Sequence, residues 1–170
     1  GMYYYGLFKL YYPAYETNDN IAGAALVKLA SEHRIIEAQF TYANLLLHGI
    51  GLQKDEKSAV ELYKQLADFG HTNALIKYCK LRAYGQGIEK NVQEAAQLLK
   101  NAADRGIRKA AIEYIDLLKS GLIEDCNSQT ILSYYLKAGA AIDLSVEPIK
   151  ITKHDIYGRI PANPFKSSPF

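Results

Sequence analysis

Glycine, alanine and tyrosine return in this chain at one fixed interval of 36 residues. Gly49, Gly85 and Gly121 keep it, as do Ala38, Ala74 and Ala110, then Tyr42, Tyr78 and Tyr114, and Gly70 with Gly106. An interval of that length marks stacked supersecondary units, each too small to bury its own apolar face. The chain therefore has to fold as an array whose core runs along one axis.

Two helices fit each period. The second starts at a short polar residue, Asp19, Asp55, Asn91 or Asn127, whose side-chain oxygen is expected to accept from an amide of the first turn. Glu94 is expected to close a capping box on Asn91. Apolar ladders follow these caps: Ala59, Leu62, Tyr63 and Leu66; Ala95, Leu98, Leu99 and Ala102; Ile131, Tyr134, Tyr135 and Ala138. Spacings of three and four turn one helix face to the core.

The first helix of each unit carries Ala38, Tyr42, Leu45 and Leu46, then Ala74, Tyr78 and Leu81, then Ala110, Tyr114, Leu117 and Leu118. The alanines mark close helix approaches. Gly49 with Gly51, and Gly85 with Gly87, end these helices in turns that need positive backbone angles. Gly85 recurs in all three turns whereas the second glycine becomes Ile123, so the first glycine is expected to be the stricter. On that reading Gly85→Val costs more than Gly51→Ala.

The two ends break the pattern. MYYYGLFKLYYPAY places six of the 14 tyrosines in a stretch where a solvated cap would be polar. If its inter-helix loop is one residue shorter, Leu7, Leu10 and Tyr11 face the core and Tyr5, Lys9 and Tyr12 face out. After residue 142 the periodicity stops. Residues 143–170 hold four of the five prolines, which exclude regular helix over most of the segment and predict an extended C-terminal tail. Residues 146–165 are expected to dock in a concave groove, the chain's own or that of a neighbouring copy, through Ile149, Ile151, Ile156, Tyr157, Ile160 and Phe165.

Composition narrows the function. Lys and Arg number 20 against 18 Asp and Glu, interspersed, so no basic stripe points to nucleic acid. No apolar run is long enough for a membrane span, and no export signal is visible. Gly1 before Met2 has the form of a tag remnant; with Met2 as the native start, a cytoplasmic protein is expected. Cys79 and Cys126 read as free thiols. His33, His48, His71 and His154 lie too far apart for metal-ligand spacing, and no cofactor is expected. The glycine pairs close helices and lack a following GKS or GKT, so they are not phosphate loops. No GxSxG elbow is present.

The residues Gly85, Gly87, Ile88, Asn91, Ala95, Ala96, Leu99, Ala102, Ala103, Gly106, Ala110 and Tyr114, with Gly49, Gly51, Leu52, Asp55, Ala59, Tyr63, Ala67, Gly70, Ala74 and Tyr78 one period earlier, resemble the Sel-one-like repeats of the tetratricopeptide-like superfamily. The match extends more weakly over residues 2–142. Ala43, Cys79 and Ile115 stand where the family usually has glycine, and Leu46, Arg82 and Leu118 where it has tyrosine.

The resemblance implies an all-α solenoid, a right-handed superhelix of about four antiparallel helix pairs. The expected domain covers residues 1–142, with units near 2–37, 38–73, 74–109 and 110–142, and the tail follows at 143–170. It also implies an adaptor, not an enzyme, that binds a peptide or partner protein in a concave groove, in bacterial signalling or an envelope-related pathway. By position the groove takes Tyr5, Lys9 and Tyr12; Phe40, Asn44 and Leu47; Ile76, Lys80 and Ala83; Ile112, Asp116 and Lys119. Self-association through the aromatic N-terminus or the tail is the alternative. Lactam hydrolysis, associated with cysteine-rich members, is less expected because the paired cysteines are missing.

Overall fold

The computed structural model describes residues 1–11, 19–123 and 128–139, all within one compact unit, Gly1–Ala140. Eight helices are described: α1 (Met2–Tyr11), α2 (Asp19–Glu32), α3 (Ile36–His48), α4 (Glu56–Asp68), α5 (Thr72–Tyr84), α6 (Val92–Asp104), α7 (Arg108–Lys119) and α8 (Ser128–Lys137). Each packs on its neighbour in sequence, as a solenoid of helix pairs requires. The tail, Tyr12 and Asn127 lie outside the described residues.

The periodic residues are the core. Ala38, Ala74 and Ala110 are fully buried, as are Ala59, Tyr63 and Ala95. Ala43, Cys79 and Ile115 are buried too.

Helix ends repeat bond for bond. Gly49 donates to Leu45 O (2.8 Å) and Ile50 to the same carbonyl (3.1 Å); Gly85 and Gln86 do the same to Leu81 O at 2.9 and 3.0 Å. Both glycines of each pair are left-handed, with φ of 69° at Gly49 and Gly51, 74° at Gly85 and 68° at Gly87. The expectation that the first is stricter is corrected. A Cβ at Gly85 would meet the Lys90 side-chain stem at 3.0 Å, but on Gly87 it would press to 2.7 Å from the Glu56 carbonyl oxygen of the preceding unit. A lysine stem can yield; helix backbone cannot.

The caps behave as expected at two sites. Asp55 accepts from Ser58 N (3.0 Å) and Asn91 from Glu94 N (2.9 Å). Asp19 is itself the first residue of α2. The capping box is corrected: the Asn91 amide donates to Arg82 O (2.8 Å), as Asp55 donates to Leu46 O (2.9 Å), so it needs nothing from Glu94. Glu94 instead receives Arg82 Nε at 2.8 Å and Nη2 at 2.6 Å.

The register of α1 also differs from the expectation. Gly6 and Leu10 are its buried residues, Leu7 is half-buried and Tyr11 is exposed. Gly6 and Gly23 form the crossing with α2, where a Cβ on Gly6 would meet Gly23 O, Leu26 and Val27 at 3.1 Å. Gly6 meets Leu26 as Tyr114 meets Tyr134, at the same offset of 20 residues, so α1 keeps the full period and its loop is not shortened.

Candidate functional site

The outer face of α3, α5 and α7 carries the side chains that the repeat leaves over after the core is filled. Phe40 is half-buried, its ring 5.8 Å from Tyr63 in an edge contact and 4.9 Å from His71. His71 is fixed in turn, since its Nδ1 accepts from Ala74 N at 3.1 Å and caps α5. Asn44 is locked from both ends: Nδ2 donates to Phe40 O (2.9 Å) and Oδ1 accepts from the Tyr63 hydroxyl (2.9 Å). Burial holds that hydroxyl in its neutral, donating form.

Farther along, Lys80 on α5 pairs with Glu113 on α7 at 2.8 Å. Lys80, Ala83 and Asp116 line a shallow hollow with Cys79, Tyr84 and Glu113. Burial pushes the Cys79 thiol up to about 12, which keeps its sulfur protonated. Ile112 is 49% exposed beside it. Lys119 bonds the Tyr135 hydroxyl and lies 4.8 Å over that ring. Burial and the neighbouring Lys80 lower the Lys77 ammonium on the same helix.

The twelve positions named from the sequence separate into groups. Leu47, Ile76 and Ala83 are buried and form floor, not surface. Phe40, Asn44, Lys80, Ile112, Asp116 and Lys119 are accessible in whole or part. On α1 the full period aligns Tyr4, Phe8 and Tyr11 with Phe40, Asn44 and Leu47, and sets Tyr5 and Lys9 one step around the helix, where Lys9 lies 5.5 Å over the Tyr5 ring. Sequence reasoning missed Tyr84 and His71. Tyr84 directly precedes Gly85, and that adjacency to the turn was the available signal.

A cleft of about 500 Å3 lies elsewhere, among Ile21, Ala24, Lys28, Tyr42, Leu46 and Leu52. Leu46 in its lining stands where the next unit has Arg82, which pairs with Glu94 at 2.6 Å. Among the described residues no group of three or more His, Cys, Asp or Glu is placed to hold a metal, and no helix is long and apolar enough to cross a membrane.

Residues 36–71 and 72–107 each match the model of the Sel1 repeat. The chain carries two Sel1 repeats. A Sel1 repeat protein from Oxalobacter formigenes has a similar crystal structure, with TM-score 0.68 and 22% identity over 81% of this chain and 56% of that one. So does c5321, a protective antigen present in uropathogenic Escherichia coli strains that displays an SLR fold, with TM-score 0.58 and 16% identity over 70% of this chain. The chain spans 56% and 26% of the lengths of these two proteins. At such identities the likeness carries the fold. No curated protein matches the chain. Sel1 repeats generally mediate contacts between proteins and are typically scaffolds without catalytic activity.

Proposed function

We propose that this chain is an adaptor that holds an extended peptide or a partner protein's segment against the outer face of its first helices, in a bacterial signalling or envelope-related pathway. The observation that carries the reading is the row Tyr4, Phe40, Ile76 and Ile112: one apolar position per unit, repeated on four successive first helices. Ile76 is buried and forms the floor of the row, while Tyr4, Phe40 and Ile112 stand at least partly exposed. Helices packed side by side are about 8–10 Å apart, and alternate side chains of an extended strand are about 6.6–6.8 Å apart. A peptide crossing the row at a slant can therefore set a side chain at each unit.

Around that row the charges are mixed. Lys80 is paired with Glu113, while Asp116 and Lys119 flank Ile112. This favours an apolar peptide with few charges over a strongly acidic or basic one. The bacterial origin of both similar structures supports the bacterial setting.

Peptide-display selection on the purified chain tests the reading. Selected peptides are expected to share spaced apolar residues and to lose binding to Phe40→Asp and Ile112→Asp. Phe69→Asp, at an exposed helix end and not a member of the row, is the control and should bind as wild type. Equal binding by all three variants would sink the proposal.

A further inference from the structure

Two steps of the outer face, built from the same repeat positions, carry opposite charge. Between α5 and α7 the hollow is bordered by Lys80, Tyr84, Glu113 and Asp116, with Lys80 paired to Glu113 at 2.8 Å. One period earlier those positions are Asn44, His48, Lys77 and Lys80. Lysines thus stand between α3 and α5 where the next step has acids. The offset of 33 residues that joins Lys80 to Glu113 places Asn44 opposite Lys77, and the Asn44 side chain is already engaged by Phe40 O and the Tyr63 hydroxyl.

Lys77 is half-buried, and among the described residues it has neither an ion pair nor a hydrogen bond from its side chain. The titratable groups around it are Lys80, Glu113 and His48. Glu113 is held by Lys80, and Lys54, on the far side of His48, is held by Glu56 at 2.7 Å. Burial, Lys77 and Lys54 keep the His48 imidazole below its ordinary value. The Lys77 ammonium has therefore given up part of its hydration without gaining a carboxylate. An acid entering beside it gains a charge-assisted hydrogen bond, whereas one entering beside Glu113 and Asp116 meets like charge. We infer that the peptide held on this face carries one acidic side chain, seated against Lys77 between the residues that meet Phe40 and Ile112. This rests on the peptide-binding reading and adds a composition and a register to it.

The probes are peptides selected by display on the wild-type chain and resynthesised with acetylated and amidated ends, so that only side chains carry charge. They are expected to share an Asp or Glu at a fixed spacing from their apolar residues. Replacing that acid by its amide should weaken binding to the wild type at least about fivefold, the upper end for an exposed ion pair. The same replacement should change nothing on Lys77→Met, which keeps the apolar stem. Replacing the acid by lysine should give a peptide that binds Lys77→Glu more tightly than wild type; should Lys77→Glu unfold by circular dichroism, Lys77→Met decides alone. Binders that respond to Phe40→Asp and Ile112→Asp, yet lose as much with the amide on Lys77→Met as on wild type, overturn this inference and leave the adaptor reading standing. Binders that share no acid do the same. A chain that selects no peptide overturns both.

Discussion

A Cβ placed on Gly51 would stand 1.9 Å from the carbonyl oxygen of Asn20 in the preceding unit. The turn of one repeat is thereby seated on the first turn of the previous second helix, and Gly87 on Glu56 repeats the contact at 2.7 Å. Gly51→Ala and Gly87→Ala carry both the strain of a left-handed alanine and this clash. Overpacking of that kind costs about 1–3 kcal/mol. Gly85→Ala carries mainly the backbone strain. Thermal melts should rank Gly51→Ala below Gly85→Ala, by roughly 2–4 °C per kcal/mol in a chain of this size.

Arg34 has φ 58° and its amide donates to Ser31 O at 3.0 Å, the arrangement that Gly70 makes with Ala67 O at 2.9 Å. An arginine thus occupies a left-handed position that the later units give to glycine. Relief of that strain is worth about 1 kcal/mol. Arg34→Gly is expected to raise the melting temperature, and an unchanged or lower value would contradict the assignment.

Hydrogen bonds from Ser58 hold the Asp55 carboxyl below its ordinary value of 3.8. A depressed folded-state value means that its contribution is complete above about pH 4 and fades as pH falls through the lower folded value. The amide cap at Asn91 has no such dependence. Melts of wild type and Asp55→Asn should differ at pH 6 and converge toward pH 2, whereas the gap between wild type and Asn91→Ala, about 0.5–2 kcal/mol, should hold through the same range.

The Tyr63 hydroxyl is the donor to Asn44 Oδ1 at 2.9 Å beneath the candidate binding face. Tyr63→Phe removes it and should cost about 0.5–1.5 kcal/mol by denaturant titration. If Asn44 also loses its fixed position, peptides selected on the wild type should bind the variant more weakly. Unaltered stability would show that the bond contributes nothing net.

Cys79 is fully buried and its thiol is pushed up to about 12 by burial. In a Cys126→Ser background, iodoacetamide at pH 8 is expected to leave the native chain unlabelled and to label it in urea. Rapid native labelling would show that the helices around Cys79 open.

Much of this fold is legible in the chain because helix grammar is local. Ala74, Tyr78 and Leu81 declare a buried stripe by their spacing, and Asn91 declares a cap by its chemistry and place. Repetition at 36 residues then fixes how many pairs there are and their order. What the tertiary structure alone decided concerns groups with several local options and one distant solution. Glu94 had an amide three residues back, yet Arg82 offered two charge-assisted bonds once the Asn91 amide was taken by a carbonyl. Likewise Gly49 and Gly51 look alike in sequence, with like φ, and differ only in what lies against them, Lys54 or the backbone of Asn20. The register of α1 depended on Gly6 meeting Leu26 across a close crossing, where the absence of a side chain is the interaction. Periodicity determines which residues turn inward; only the distance between packed helices determines what they meet there.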